Sequence, residues 1–143
     1  MYTIDTLKVG AQDYYNSIFN LYASWWVDYV KPSNDEFTLS LLTNDEVLAV
    51  NQASANNKQL KEENGLIAWT ADVPGTDDKY VAFFNTNDTV TSEISVTLAE
   101  LGVSGNYAAK DLWSKEDKGS TKDKFAAAVD PHASLLVRFS KLE

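Results

Sequence analysis

His132 is the only histidine of the sequence, and there is no cysteine. That excludes a thiol nucleophile, a disulfide framework, Cys-ligated zinc, a multi-histidine metal site and a histidine relay. His132 follows Pro131 at the head of an apolar run, where the ordinary reading is a packed, hydrogen-bonded ring. Oxygen ligands are more plentiful: Asn85-Thr86-Asn87-Asp88-Thr89 and Asp77-Asp78 offer the donors that calcium prefers. Neither stretch has EF-hand spacing, and Asn and Asp are common turn formers, so both read as turns. No metal and no cofactor is expected. Asn87-Asp88-Thr89 also fits the acceptor pattern for N-glycosylation. The second chemical resource is aromatic: four Trp, seven Tyr and six Phe. Flat rings beside a few hydrogen bonders are what a sugar site requires. Trp69 and Trp113, both in strand-like contexts, are the candidate carbohydrate contacts, with burial in a core as the competing role.

The elements that must position these residues fit in one small domain. A chain of 143 residues, 44% hydrophobic and 23% charged, has ordinary globular composition. It falls well short of the roughly 250 residues of a (β/α)₈ barrel. Twelve Lys and Arg against 21 Asp and Glu give a net charge of -9. A surface of that sign repels phosphate backbones and anionic lipid, so neither nucleic acid nor membrane is an expected partner. No apolar run approaches the roughly 18 residues of a membrane span. The opening Met1-Tyr2-Thr3-Ile4-Asp5 lacks the basic and apolar regions of a signal peptide, so a soluble chain without an address is expected.

Two periodicities divide the sequence. Ala11, Tyr15, Ile18, Tyr22 and Trp25 recur in steps of 4, 3, 4 and 3, which predicts a helix buried along one face. Trp25-Trp26-Val27-Asp28-Tyr29-Val30 fits a short strand as well as a continuation of that helix. Pro32 ends whichever forms. Ser33-Asn34-Asp35-Glu36 and Thr43-Asn44-Asp45-Glu46 match the S/T-x-x-E capping box, predicting two short helices with a break near Thr43. Asn51 to Gln59 reads as a polar connection. Beyond it the period becomes two, with turn clusters every 8 to 15 residues. Ile67, Trp69, Ala71 and Val73 alternate, Tyr80 to Phe84 is dense enough for a strand buried on both sides, and Ile94, Val96 and Leu98 alternate again. Tyr107 to Trp113, Phe125 to Val129 and Ala133 to Phe139 follow. The expectation is an α+β chain: short N-terminal helices in residues 1–55, packed on a C-terminal antiparallel β-sandwich of about seven to eight strands in residues 56–143.

Several of these segments resemble family 27 glycoside hydrolases, the α-galactosidases. Thr38 to Gln52 is similar to the last barrel helix of that family. Leu66-Ile67-Ala68-Trp69, Val81-Ala82-Phe83-Phe84-Asn85, Leu98-Ala99-Glu100-Leu101-Gly102, Asp111-Leu112-Trp113-Ser114 and Pro131-His132-Ala133 resemble, in order, its C-terminal antiparallel sandwich. Gly10 to Trp25 resembles the helix before the fourth barrel strand, and Trp26-Val27-Asp28-Tyr29-Val30-Lys31 resembles that strand. There the family continues Lys-x-Asp, the Asp being its nucleophile. Here the residues are Lys31-Pro32-Ser33, and Trp26 stands where the family usually has Gly.

The resemblance implies a truncated α-galactosidase in which most of the barrel, including the strand with the general acid, is missing. The family's activity is hydrolysis of terminal α-galactosides. Retaining hydrolysis needs two carboxyls about 5–5.5 Å apart, one protonated and one ionised. Asp28, Asp35, Glu36, Asp45 and Glu46 lie nearest the former site, and Asp35 follows Lys31 by four residues. Asp35, Glu36 and Glu46 have structural roles at helix starts, so no residue is assigned as catalytic. A structural or accessory role is expected, with galactoside binding as the alternative. In the family the sandwich packs on the barrel, so a replacement cover is needed for that surface. Tyr15, Tyr22, Trp25 and Trp26 of the aromatic N-terminal helix are expected to provide it, within one chain or exchanged with a second copy in a homodimer.

Overall fold

The computed structural model describes residues 36–143; the chain divides between Asp35 and Glu36. Two helices open this unit, α1 (Glu36–Leu42) and α2 (Asp45–Ala53). The break between them falls where expected, but the cap is shifted by one residue. Asn44, not Thr43, caps α2: its side-chain oxygen accepts from Val47 N at 3.3 Å. Thr43 instead donates its hydroxyl to Leu39 O at 2.7 Å, closing α1. An amide side chain also has donors to use, and Asn44 Nδ2 donates to Leu112 O at 2.8 Å, tying the start of α2 to the strands.

Eight antiparallel strands follow: β1 (Ala55–Glu63), β2 (Leu66–Asp72), β3 (Lys79–Asn85), β4 (Ser92–Thr97), β5 (Asn106–Asp111), β6 (Asp117–Thr121), β7 (Lys124–Val129) and β8 (Ser134–Leu142). They form a six-stranded sheet in the order β1-β2-β3-β8-β5-β6 and a two-stranded sheet, β4-β7. The two sheets face each other over one apolar core. The larger sheet contributes Ala68, Val81, Phe83, Tyr107, Ala109, Val137 and Phe139, and the smaller one Ile94, Val96, Phe125 and Val129. Phe125 sits between its aromatic neighbours, 6.1 Å from Phe83 in a stacked pair and 5.2 Å from Phe139 edge to face. Removing a side chain of this size from water is worth roughly 1.5–3 kcal/mol, so these rings dominate the attachment of the two sheets.

Ile67, Trp69 and Ala71 alternate as expected, yet they face away from this core. Their strand presents Ala68 and Thr70 to it, pairing with Phe83 and Val81. The reason is a second, smaller core on the outer face of the larger sheet, where Ala71, Val73, Tyr80 and Leu112 pack with Val47 and Val50 of α2 and Leu136 of β8. β2 and β3 are therefore apolar on both faces, and β8 is so at Leu136.

Two strands lie where no apolar pattern announces them. β1, Ala-Asn-Asn-Lys-Gln-Leu-Lys-Glu-Glu, occupies part of the stretch expected to be a connection, and β6, Asp-Lys-Gly-Ser-Thr, was not expected at all. Both are edges of the sheet, where a strand pairs on one side only and polar side chains are tolerated. β1 joins β2 through Asn64-Gly65, both at positive φ (50° and 76°), the two-residue turn that Asn-Gly favours. The Asn85–Thr89 cluster forms the expected turn, but Asn85 itself is a buried strand end. Its Nδ2 donates to Val90 O and Val129 O, each at 2.8 Å, and its Oδ1 accepts from Asn87 N at 3.0 Å.

Candidate functional site

The outer face of the larger sheet carries the exposed rings. Register places Trp69 opposite Ala82, and Ala82 opposite Leu136; one row further, Ile67 faces Phe84, and Phe84 faces Ser134. α2 covers the neighbouring row at Ala71 and Tyr80 and leaves Trp69 41% and Phe84 37% exposed. Trp113, also 41% exposed, follows β5 beside the start of α2, where its backbone N–H donates to Asp111 Oδ1 at 2.9 Å. β3 and β8 separate β2 from β5 in the sheet. The structure thus leaves both tryptophans accessible but does not bring them to one spot. Tyr15, Tyr22, Trp25 and Trp26 lie outside the described residues, as do Asp28, Ser33 and Asp35.

His132 is a correction: it is not packed. Its side chain is 66% exposed and its Nε2 lies 3.2 Å from Asp88 Oδ1. The cause is local. Ala133 N donates to Asp130 O at 3.1 Å, closing a turn around Pro131 and His132, with His132 at φ 55°. Pro at the second position and a positive φ at the third define a type II turn, whose third position ordinarily takes Gly. A ring there is carried on a tight corner that projects from the sheet. Between that corner and the end of β3 lies a hollow of about 290 Å³ lined by Phe84, Asn85, Thr86, His132, Ala133 and Ser134. The Pro-His pair without a following Gly was the signal in the sequence; Phe84 gave none, because its run predicts burial.

Glu46, Asp72, Glu100 and Asp78 are engaged in structural contacts. Lys110 Nζ donates to both oxygens of Glu46, at 2.7 and 2.9 Å, joining α2 to β5. Asp72 accepts from Lys79 Nζ and, at 2.7 Å, from Asn56 Nδ2. These bonds, that from Lys79 foremost, hold its carboxyl below the usual range. Glu100 is held low by the backbone N–H of Thr97 at 2.6 Å and then by the Thr97 hydroxyl. At Asp78 burial pushes the carboxyl up, but the Lys141 N–H and the Arg138 guanidinium together outweigh it and leave the group lowered. Lowering is the wrong direction for a general acid, which must keep its proton near neutral pH.

The described fold is an antiparallel sandwich with a helix laid across the outer face of its larger sheet. Residues 63–139, just over half of the chain, match the model of the alpha galactosidase C-terminal beta sandwich domain. The chain belongs to that family. It is 30% identical to α-galactosidase 2 of Arabidopsis thaliana over 76% of its own length and 28% of that protein's. With the α-galactosidase of Coffea arabica it shares 29% identity over 92% of its own length and 38% of the relative's. A family 27 β-L-arabinopyranosidase from Geobacillus stearothermophilus, solved in complex with arabinose, superposes with a TM-score of 0.72 at 42% identity, over 77% of this chain and 25% of that one. The chain thus spans roughly a quarter to two-fifths of the length of these proteins.

Proposed function

We propose that this chain is a non-catalytic accessory sandwich of a family 27 glycoside hydrolase, with a structural role. The observation that carries this reading is the state of its carboxylates. Asp72, Asp78 and Glu100 are held ionised, Glu46 is clamped by Lys110, and Ser33 stands at the position that resembles the family's nucleophile. The parent reaction is cleavage of a terminal α-galactoside or of the β-L-arabinopyranoside that matches it without the hydroxymethyl group. Among the described residues, no pair of groups with one raised and one lowered carboxyl supports that chemistry. Purified chain incubated with aryl α-galactoside and aryl β-L-arabinopyranoside is expected to release no aryl alcohol above the buffer rate. Turnover that disappears in Asp35→Asn or Glu46→Gln would overturn the reading.

Galactoside binding is a second reading, favoured by the accessibility of Trp69 and Trp113. Each keeps 41% of its surface exposed, and a net charge of -9 disfavours anionic ligands while leaving neutral sugars unaffected.

A further inference from the structure

We propose that the hollow between the end of β3 and the Pro131-His132 turn binds one neutral pyranoside ring, stacked on Phe84 and hydrogen-bonded by His132 and Ser134. This deepens the sugar-binding reading and rests on it for the class of ligand, but the lining of the hollow includes neither tryptophan. A pyranose has an apolar C–H face and a rim of hydroxyls that both donate and accept. The hollow offers the complement of each. Phe84 and Ser134 are directly opposed across β3 and β8, so ring and hydroxyl rise from the same face one strand apart. Phe84 keeps 37% of its surface exposed in a strand whose alternate residues, Val81 and Phe83, are fully buried. At about 290 Å³ the space lies at the small end of ligand sites, the scale of a single sugar ring.

The loop beside the hollow is braced from within. Asn85 ties down the 86–90 loop through the Val90 and Val129 carbonyls and through Asn87 N. That loop carries Asp88, whose Oδ1 meets His132 Nε2 at 3.2 Å. Neither ring nitrogen of His132 has a hydrogen-bond partner among the described residues, nor does the Ser134 hydroxyl. An imidazole with a carboxylate nearby therefore stands beside an exposed ring with donor and acceptor capacity unspent. The left-handed His132 adds a separate observation. Its φ of 55° is a conformation that Gly adopts without strain, so the side chain is kept at a cost to the turn.

That cost supplies a test which structural failure cannot imitate. His132→Gly suits the turn and is expected to melt no lower than the parent. The full chain, isotopically labelled, is titrated with methyl α-galactoside and separately with methyl β-L-arabinopyranoside while amide shifts are followed. Saturating shifts are expected at Phe84, Thr86, His132 and Ser134, with affinity about tenfold weaker in His132→Gly and in Phe84→Ala. Saturation at Trp113 alone would overturn the proposed location and leave the broader sugar reading standing. Unmoved spectra would overturn both, as would shifts that track protein concentration rather than sugar, which would mark the face as a contact between copies. Equal affinity in His132→Gly and the parent would remove the imidazole from the site.

Discussion

Asp78 stands where the β2–β3 connection meets β8. Its Oδ2 accepts from Arg138 Nε at 3.1 Å and Nη2 at 2.8 Å, and its Oδ1 accepts from Lys141 N at 3.0 Å. The side chain is 13% exposed, so the pair is shielded enough to contribute to stability. Because the folded carboxyl is lowered, its contribution is fully present above the unfolded pKa and is lost as pH falls through the folded one. Asp78→Asn is expected to cost about 1–3 kcal/mol at neutral pH. The difference from the parent should shrink once the pH is well below about 3.9, where the unfolded aspartate is protonated. Urea denaturation of both proteins at neutral and acid pH measures it; a pH-independent gap would mean that shape, not charge, sets the cost. At this scale the sequence was partly legible. Asp77-Asp78 read as a turn without any sign that Arg138 and Lys141, some sixty residues on, complete it. His132 was misread because an apolar run after Pro suggests burial, whereas the turn geometry sends the ring outward.

Between elements, the critical residue is Asn44, which does two tasks at once. Its oxygen caps α2 and its amide reaches Leu112 O, and the Asn is 5% exposed. Asn44→Ala removes a cap and strands a buried carbonyl, each worth about 1 kcal/mol or more. The expected result is a loss of about 2–3 kcal/mol. Amide exchange should rise across α2, with much smaller change in β3 and β8. Uniform loss of protection would instead show that the helix and the sheet unfold as one. The six apolar strands were legible because their period is set by burial, and the two short helices through their S/T-x-x-E motifs. The sequence could not place β1 or β6. Their ladders come from neighbours already in the sheet, and β1 includes two register shifts that fit no regular alternation. The capping motif was shifted for a related reason: Thr43 and Asn44 both carry suitable oxygens, and only the contact with Leu112 decides between them.

For the molecule as a whole, the two sheets are held together by side chains rather than by a shared ladder of hydrogen bonds. β4 and β7 pair only with one another, and the core rings join them to the larger sheet. Phe125→Ala is expected to destabilise the unit by about 3–5 kcal/mol, read as a shift in denaturation midpoint with one cooperative transition. Two separate transitions would show that β4-β7 can leave while the larger sheet persists. The sandwich class and the packing of short helices on it were legible from strand number, spacing and capping motifs, but which face the helix covers was not, since apolar residues on both sides of a strand do not say which side is which.

The strand order has a consequence for how the chain is made. Of the eight strands β8 is synthesised after the other seven, yet it lies between β3 and β5, pairing with both. Until it leaves the ribosome, β1-β2-β3 and β5-β6 are two fragments with bare inner edges, each with half an outer face. Translation can therefore give hairpins early but not the sheet. The nascent chain must keep those edges from other polypeptides until that strand closes the gap, so the interval just before β8 emerges is when a chaperone has most to protect.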